Sequence, residues 1–182
     1  MNTKFSIFLV LLLFIPISIT AQIEKGWMLV GGNAGFDYQA DNEIFTIGIR
    51  PNHAFFVRDN LAVGAAVSIN VILSEGEGTW VYGASPLVRY YFTGKKAIPF
   101  VEGRIGISGI SDSDGNTSDL YNGGLTFGVS YFVEKHVAVE LGLMYDHTRT
   151  GFKDYDTDLN NLSLGFGFQI HLERNKIKEQ RN

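Results

Sequence analysis

Residues 79–92, Thr-Trp-Val-Tyr-Gly-Ala-Ser-Pro-Leu-Val-Arg-Tyr-Tyr-Phe, divide cleanly at period two. Trp80, Tyr82, Ala84, Pro86, Val88, Tyr90 and Phe92 share one parity; Val81, Gly83, Ser85, Leu87, Arg89 and Tyr91 share the other. A strand sends alternate side chains to opposite faces. This strand therefore has an apolar face with aromatics at both ends, and a small, wetter face carrying one Arg. It exceeds the five or six residues of an average strand. A tilted strand needs about 9–11 residues to cross a bilayer, with aromatics favoured at both headgroup levels. Alone, it would leave its backbone groups unpaired in hydrocarbon, so it must belong to a closed barrel.

The same alternation predicts further strands over residues 26–38, 44–57, 61–73, 98–110, 120–133, 137–145 and 160–172. Val63, Val67 and Ile69 are typical of the outward set, and Gly64, Ser68 and Asn70 of the inward set. Pro51 cannot donate to a ladder, which predicts a bulge or irregularity nearby. The connections at residues 58–60, 93–97 and 134–136 are short. Those at 37–43, 74–78, 111–119 and 146–159 are mostly longer and more acidic. Outer-membrane barrels place short turns on the periplasmic side and longer loops outside. The expected fold is all-β: an eight-stranded antiparallel up-and-down transmembrane β-barrel with both termini periplasmic. No helical period of 3.6 survives beyond the first twenty or so residues.

Those first residues are different. Lys4 is the sole charge before Glu24, residues 5–19 are almost wholly apolar, and Ile19-Thr20-Ala21 supplies small residues for cleavage. This is the pattern of a cleavable signal peptide over residues 1–21, with Gln22 first in the mature chain. The apolar run is shorter than the roughly 20 residues of a spanning helix. The barrel is expected over 22–172 and a charged tail over 173–182. There is no Cys, so disulfides and an N-terminal lipidated cysteine are both excluded. Loss of Lys4 takes the formal charge from −4 to −5, which argues against nucleic acid. A mean hydropathy of +0.05 suits a barrel whose two faces cancel.

An eight-stranded barrel is just wide enough for its own side chains. The inward parity holds Arg50, Arg89, Glu102, Arg104, Glu140 and His171. Charges so confined must pair. A turn centred between Lys95 and Lys96 sets Arg89 opposite Glu102, with Arg104 and Glu140 placed to extend the network. Its expected role is structural, stiffening and plugging the lumen. Other patterns are weaker. Asp112, Asp114, Asn116 and Asp119 resemble oxygen ligands, but Thr117 stands where a helix-loop-helix calcium site needs Gly. His147 reads as a loop histidine, with Arg149 rather than a nucleophile on its face. The paired glycines precede no helix and read as small inward residues. No catalytic, metal or cofactor site is expected.

Residues 85–92, Ser-Pro-Leu-Val-Arg-Tyr-Tyr-Phe, followed by Pro99-Phe-Val-Glu-Gly103, resemble the central hairpin of the small bacterial outer-membrane β-barrel domain family. So do residues 55–64, Phe-Phe-Val-Arg-Asp-Asn-Leu-Ala-Val-Gly, and 131–140, Tyr-Phe-Val-Glu-Lys-His-Val-Ala-Val-Glu. The resemblance spans essentially the whole mature chain. It implies an eight-stranded outer-membrane barrel without a catalytic set. Family members often end on an aromatic; here ten residues, 173–182, follow the last strand. The expected function is structural or surface-interacting, in a monomer that meets outer-membrane lipid and the barrel assembly machinery. The alternatives are a soluble lipocalin-like carrier of a small apolar ligand, a narrow ion pore, or an enzyme modifying lipid A. The carrier reading requires the apolar parity to point inward.

Overall fold

The fold is taken from a computed structural model that describes residues 23–39, 44–74, 77–111, 117–150 and 158–173. The expected signal peptide, the tail beyond Glu173 and the tips of the four longer loops lie outside the described residues. Eight strands follow one another: β1 Met28–Gln39, β2 Ile44–Arg58, β3 Leu61–Ser74, β4 Glu77–Tyr91, β5 Ala97–Ser111, β6 Thr117–Glu134, β7 Val137–Thr150 and β8 Asp158–Leu172. Each is antiparallel to the next, and β1 pairs with β8 from Met28↔Leu172 to Gly35↔Gly165, closing the barrel. Closure pairs each strand on both sides, so no strand is left as an open edge.

Alternation decides the faces. Phe36, Ile49, Val67, Trp80, Ile105, Phe127, Leu141 and Phe166 are all exposed on the outside. Aromatics gather towards both ends of this belt. Trp80, Tyr82, Tyr121 and Tyr145 stand near the loop end, and Phe55, Tyr90, Phe92 and Tyr131 near the turn end. Aliphatic side chains dominate between them. That is the banding expected where two water interfaces flank hydrocarbon.

The hairpins run further than the alternation suggested. β4 begins at Glu77, β6 at Thr117 and β8 at Asp158, while β7 continues to Thr150. The added positions carry mostly polar residues, so the apolar period fades although the backbone ladder continues. His147 is consequently a strand residue, opposite Asn160 of β8, and not a loop histidine. Asp119 falls within β6, and residues 112–116 of the acidic run lie outside the described residues. Pro51 pairs with Gly32 without a register change; the β2–β3 ladder is simply interrupted beside it. The register shift comes at Phe56/Arg58, beside the turn, with its counterpart at Phe132/Glu134.

At the short-turn end the start of the described chain packs into the barrel interior. Asn60 takes the left-handed conformation, φ 63°, at the β2–β3 turn, a region that Asn tolerates better than most residues. Its N–H donates to the Ile23 carbonyl at 2.9 Å, and its own carbonyl accepts from the Tyr91 N–H at 2.9 Å. Ile23 is thereby held against Leu29, Phe56, Tyr91, Ile98 and Phe100 in a small apolar core. These inward side chains are large and apolar; of them only Tyr91 is among the expected inward residues, which are otherwise mainly small or polar. Towards the turn end the barrel interior is largely apolar.

Candidate lumen charge cluster

The polar inner face sits directly above this core. β4 delivers Arg89, fully buried, and β5 delivers Glu102 opposite it in the ladder. Arg89 Nε donates to Glu102 Oε2 at 2.7 Å. Its Nη1 donates to Glu140 of β7, lying 3.0 Å from both carboxylate oxygens. The same nitrogen donates to the Tyr91 hydroxyl at 3.0 Å. The guanidinium carbon stands 4.4 Å from the centre of the Phe100 ring, so one face of the cation rests on the apolar core. Ser130 of β6 also donates to Glu140.

Arg104 continues the cluster towards the loop end. Its Nη1 lies 3.8 Å from Glu102 Oε1 and donates to Thr126 Oγ1 at 2.9 Å. Its Nη2 is ion-paired to Asp146 of β7. Glycine makes room for these side chains. A Cβ on Gly124, opposite Arg104, would lie 2.7 Å from the guanidinium carbon. A Cβ on Gly128, opposite Phe100, would lie 2.5 Å from its ring.

Two of the six inward charge candidates stand apart from this pairing. Arg50 has no ion pair among the described residues; its Nη2 donates to the Met144 sulfur at 3.2 Å. It lines a polar cavity of about 90 Å³ with Asn33, Asn70, Asp146 and Asn161 at the loop end. His171 is fully buried in the apolar core, its ring 4.9 Å from Phe132 and 5.5 Å from Tyr91. It lies near the turn end of β8, below the charges, so aromatic rings surround it.

Sequence reasoning missed Tyr91, Asp146, Thr126 and Ser130 as members. Tyr91 follows Arg89 at the same parity, a signal that was present. Asp146 shares the parity of Glu140, but its segment reads as loop. Chemically the cluster is a set of buried ions that satisfy one another; no group of three or more His, Asp or Glu among the described residues is arranged to hold a metal ion. On the outer surface, His147 Nδ1 lies 2.9 Å from Asn160 Oδ1, which also accepts from the Tyr145 hydroxyl at 2.7 Å.

No family model and no curated protein matches the chain in sequence. The fold is found among solved structures. The crystal structure of Neisserial surface protein A matches with a TM-score of 0.58 at 16% identity, over 79% of this chain and 95% of that one. The N-terminal β-barrel domain of Pseudomonas aeruginosa OprF matches with a TM-score of 0.57 at 13% identity, over 81% and 98%. At these identities the likeness is one of fold: a closed, eight-stranded antiparallel barrel of the small outer-membrane type.

Proposed function

We propose that this chain is an integral protein of the bacterial outer membrane, held in lipid by its apolar belt. Its lumen is closed by its own side chains, it carries no catalytic set, and its role is structural or surface-interacting. The observation that carries this reading is the polarity of the two faces. Val67, Phe127 and Leu141 are exposed on the outside, while Arg89, Glu102 and Glu140 are buried within. A soluble carrier needs the reverse, since apolar cargo would have to share its cavity with those ions. The apolar packing at the turn end speaks against a continuous ion path. His147, hydrogen-bonded to an Asn beside a Tyr, supports no acyl-transfer chemistry, which needs an activated nucleophile.

Orientation follows from the same reading. Ile23 and Glu173 both lie at the short-turn end, which faces the periplasm, and the longer loops face outward. The protein acts as a monomer, inserted by the barrel assembly machinery. The test is fractionation of expressing cells, with gel migration before and after boiling, then conductance recording in planar bilayers. The expected result is heat-modifiable protein in the outer-membrane fraction and no steady openings. Soluble periplasmic protein would return the carrier reading; steady openings would return the pore.

A further inference from the structure

The three short turns carry different charge. At the β2–β3 turn Arg58 is followed by Asp59, and the Lys25 N–H donates to the Asp59 carboxylate at 2.8 Å. At the β6–β7 turn Lys135 Nζ lies 2.9 Å from Glu173 Oε1, and Glu134 is adjacent. At the β4–β5 turn Lys95 and Lys96 are both exposed, and neither has a carboxylate partner among the described residues. This turn is fixed in place: the Phe132 N–H donates to the Lys96 carbonyl at 2.7 Å. Lys96 Nζ sits 5.0 Å from the centre of the Tyr131 ring, in the turn-end aromatic girdle. Beside it a cleft of about 420 Å³ is lined by Lys95, Lys135, Phe132, Val133 and one carboxylate, Glu134. The apolar belt continues directly below, through Val129 and Tyr131.

We infer that the Lys95–Lys96 turn is a binding site for an anionic glycerophospholipid of the leaflet that the short turns face. The lipid phosphate lies between the two ammonium groups and the headgroup enters the cleft. The acyl chains run down the belt beside Tyr131 and Val129. Charge complementarity selects the occupant: Lys95 and Lys96, with no ion pair among the described residues, outnumber the single cleft carboxylate, Glu134, so the site attracts an anionic lipid and discriminates against a neutral one. The anchored backbone and the Lys96–Tyr131 contact hold the site ready, so little ordering is needed when lipid binds.

This inference rests on the membrane reading, and its test separates the two. The full-length protein, expressed and purified in neutral detergent, is titrated with phosphatidylglycerol or phosphatidylcholine, and retained lipid is counted by native mass spectrometry. Roughly tenfold preference for phosphatidylglycerol is expected. Lys95→Gln/Lys96→Gln should remove most of that preference, and Arg58→Gln, at a turn that also carries Asp59, should leave it. Equal retention of both lipids by wild type overturns the site, as does equal loss in the Arg58→Gln control. Insertion into neutral phosphatidylcholine vesicles is scored in parallel by heat-modifiable migration. Protein that inserts without a lipid preference sinks only this site; protein that fails to insert sinks the membrane reading itself.

Discussion

Arg89 of β4 reaches Glu140 of β7 across the lumen, its Nη1 standing 3.0 Å from both carboxylate oxygens, although those strands are not neighbours in the sheet. The contact makes Arg89 the shared cation of two buried carboxylates. Replacing it should therefore cost more than replacing either acid. Arg89→Met leaves Glu102 with a contact to Arg104 at 3.8 Å and Glu140 with none of its cation. The expected loss is about 3–5 kcal/mol. Glu140→Gln keeps an acceptor for Arg89 and Ser130 and should cost about 1–3 kcal/mol. Urea unfolding in vesicles, followed by Trp fluorescence, measures both; equal losses would contradict the shared-cation geometry.

The space above Gly128 belongs to Phe100. Gly128→Ala brings a Cβ to 2.5 Å from that ring and 2.8 Å from the Leu141 carbonyl. Overpacking of this kind costs about 1–3 kcal/mol. Phe100→Leu shortens the ring and should recover part of the loss in the double variant. A double-mutant cycle on the same unfolding assay is expected to give a favourable coupling; strict additivity would mean that the two side chains do not meet.

Depth along β6 tests the lipid-facing belt. Leu125, near the middle of the belt, is exposed outward, and Tyr121 lies closer to the loop end. Leu125→Arg should cost about 2–4 kcal/mol in vesicles and Tyr121→Arg about 0–1 kcal/mol. Matching losses at the two positions would mean that no hydrocarbon slab surrounds the strand.

Glu173 directly follows β8 and accepts from His136 Nε2 at 2.8 Å and Lys135 Nζ at 2.9 Å. The His136 hydrogen bond, then the Lys135 one, holds its carboxyl down at about 2, against an ordinary 4.5. A depressed carboxyl contributes stability that is fully present above the ordinary value and lost as pH falls towards 2. Wild type should exceed Glu173→Gln in thermal stability at pH 6, with the gap closing between pH 4.5 and 2. The group is solvent-accessible, so the gap will be small. A gap that widens on acidification would refute the assignment.

How much of this was legible depends on which contacts are local. Period-two alternation reads directly as outward Val67 and inward Gly64, because a strand offers only two faces. The Arg89–Glu102 register follows from a five-residue turn and parity, so it too is written into a single hairpin. Alternation stops being informative where lipid ends. Asp146 therefore looks like loop, although β7 carries it into the lumen beside Arg104. It is equally silent about depth, which is why Arg50 and His171 shared a parity with Arg89 yet lie above and below its cluster.

The amino-acid order by itself determined the strands, their faces and the ladder neighbours, since these depend on backbone geometry and nearest turns. Only the closed barrel decided that Arg89 meets Glu140 and that His171 is enclosed by Phe56, Tyr91 and Phe132. Those contacts span strands that share no ladder. They exist because closure bends the sheet until opposite walls come within a side chain's length, a distance that no periodicity encodes.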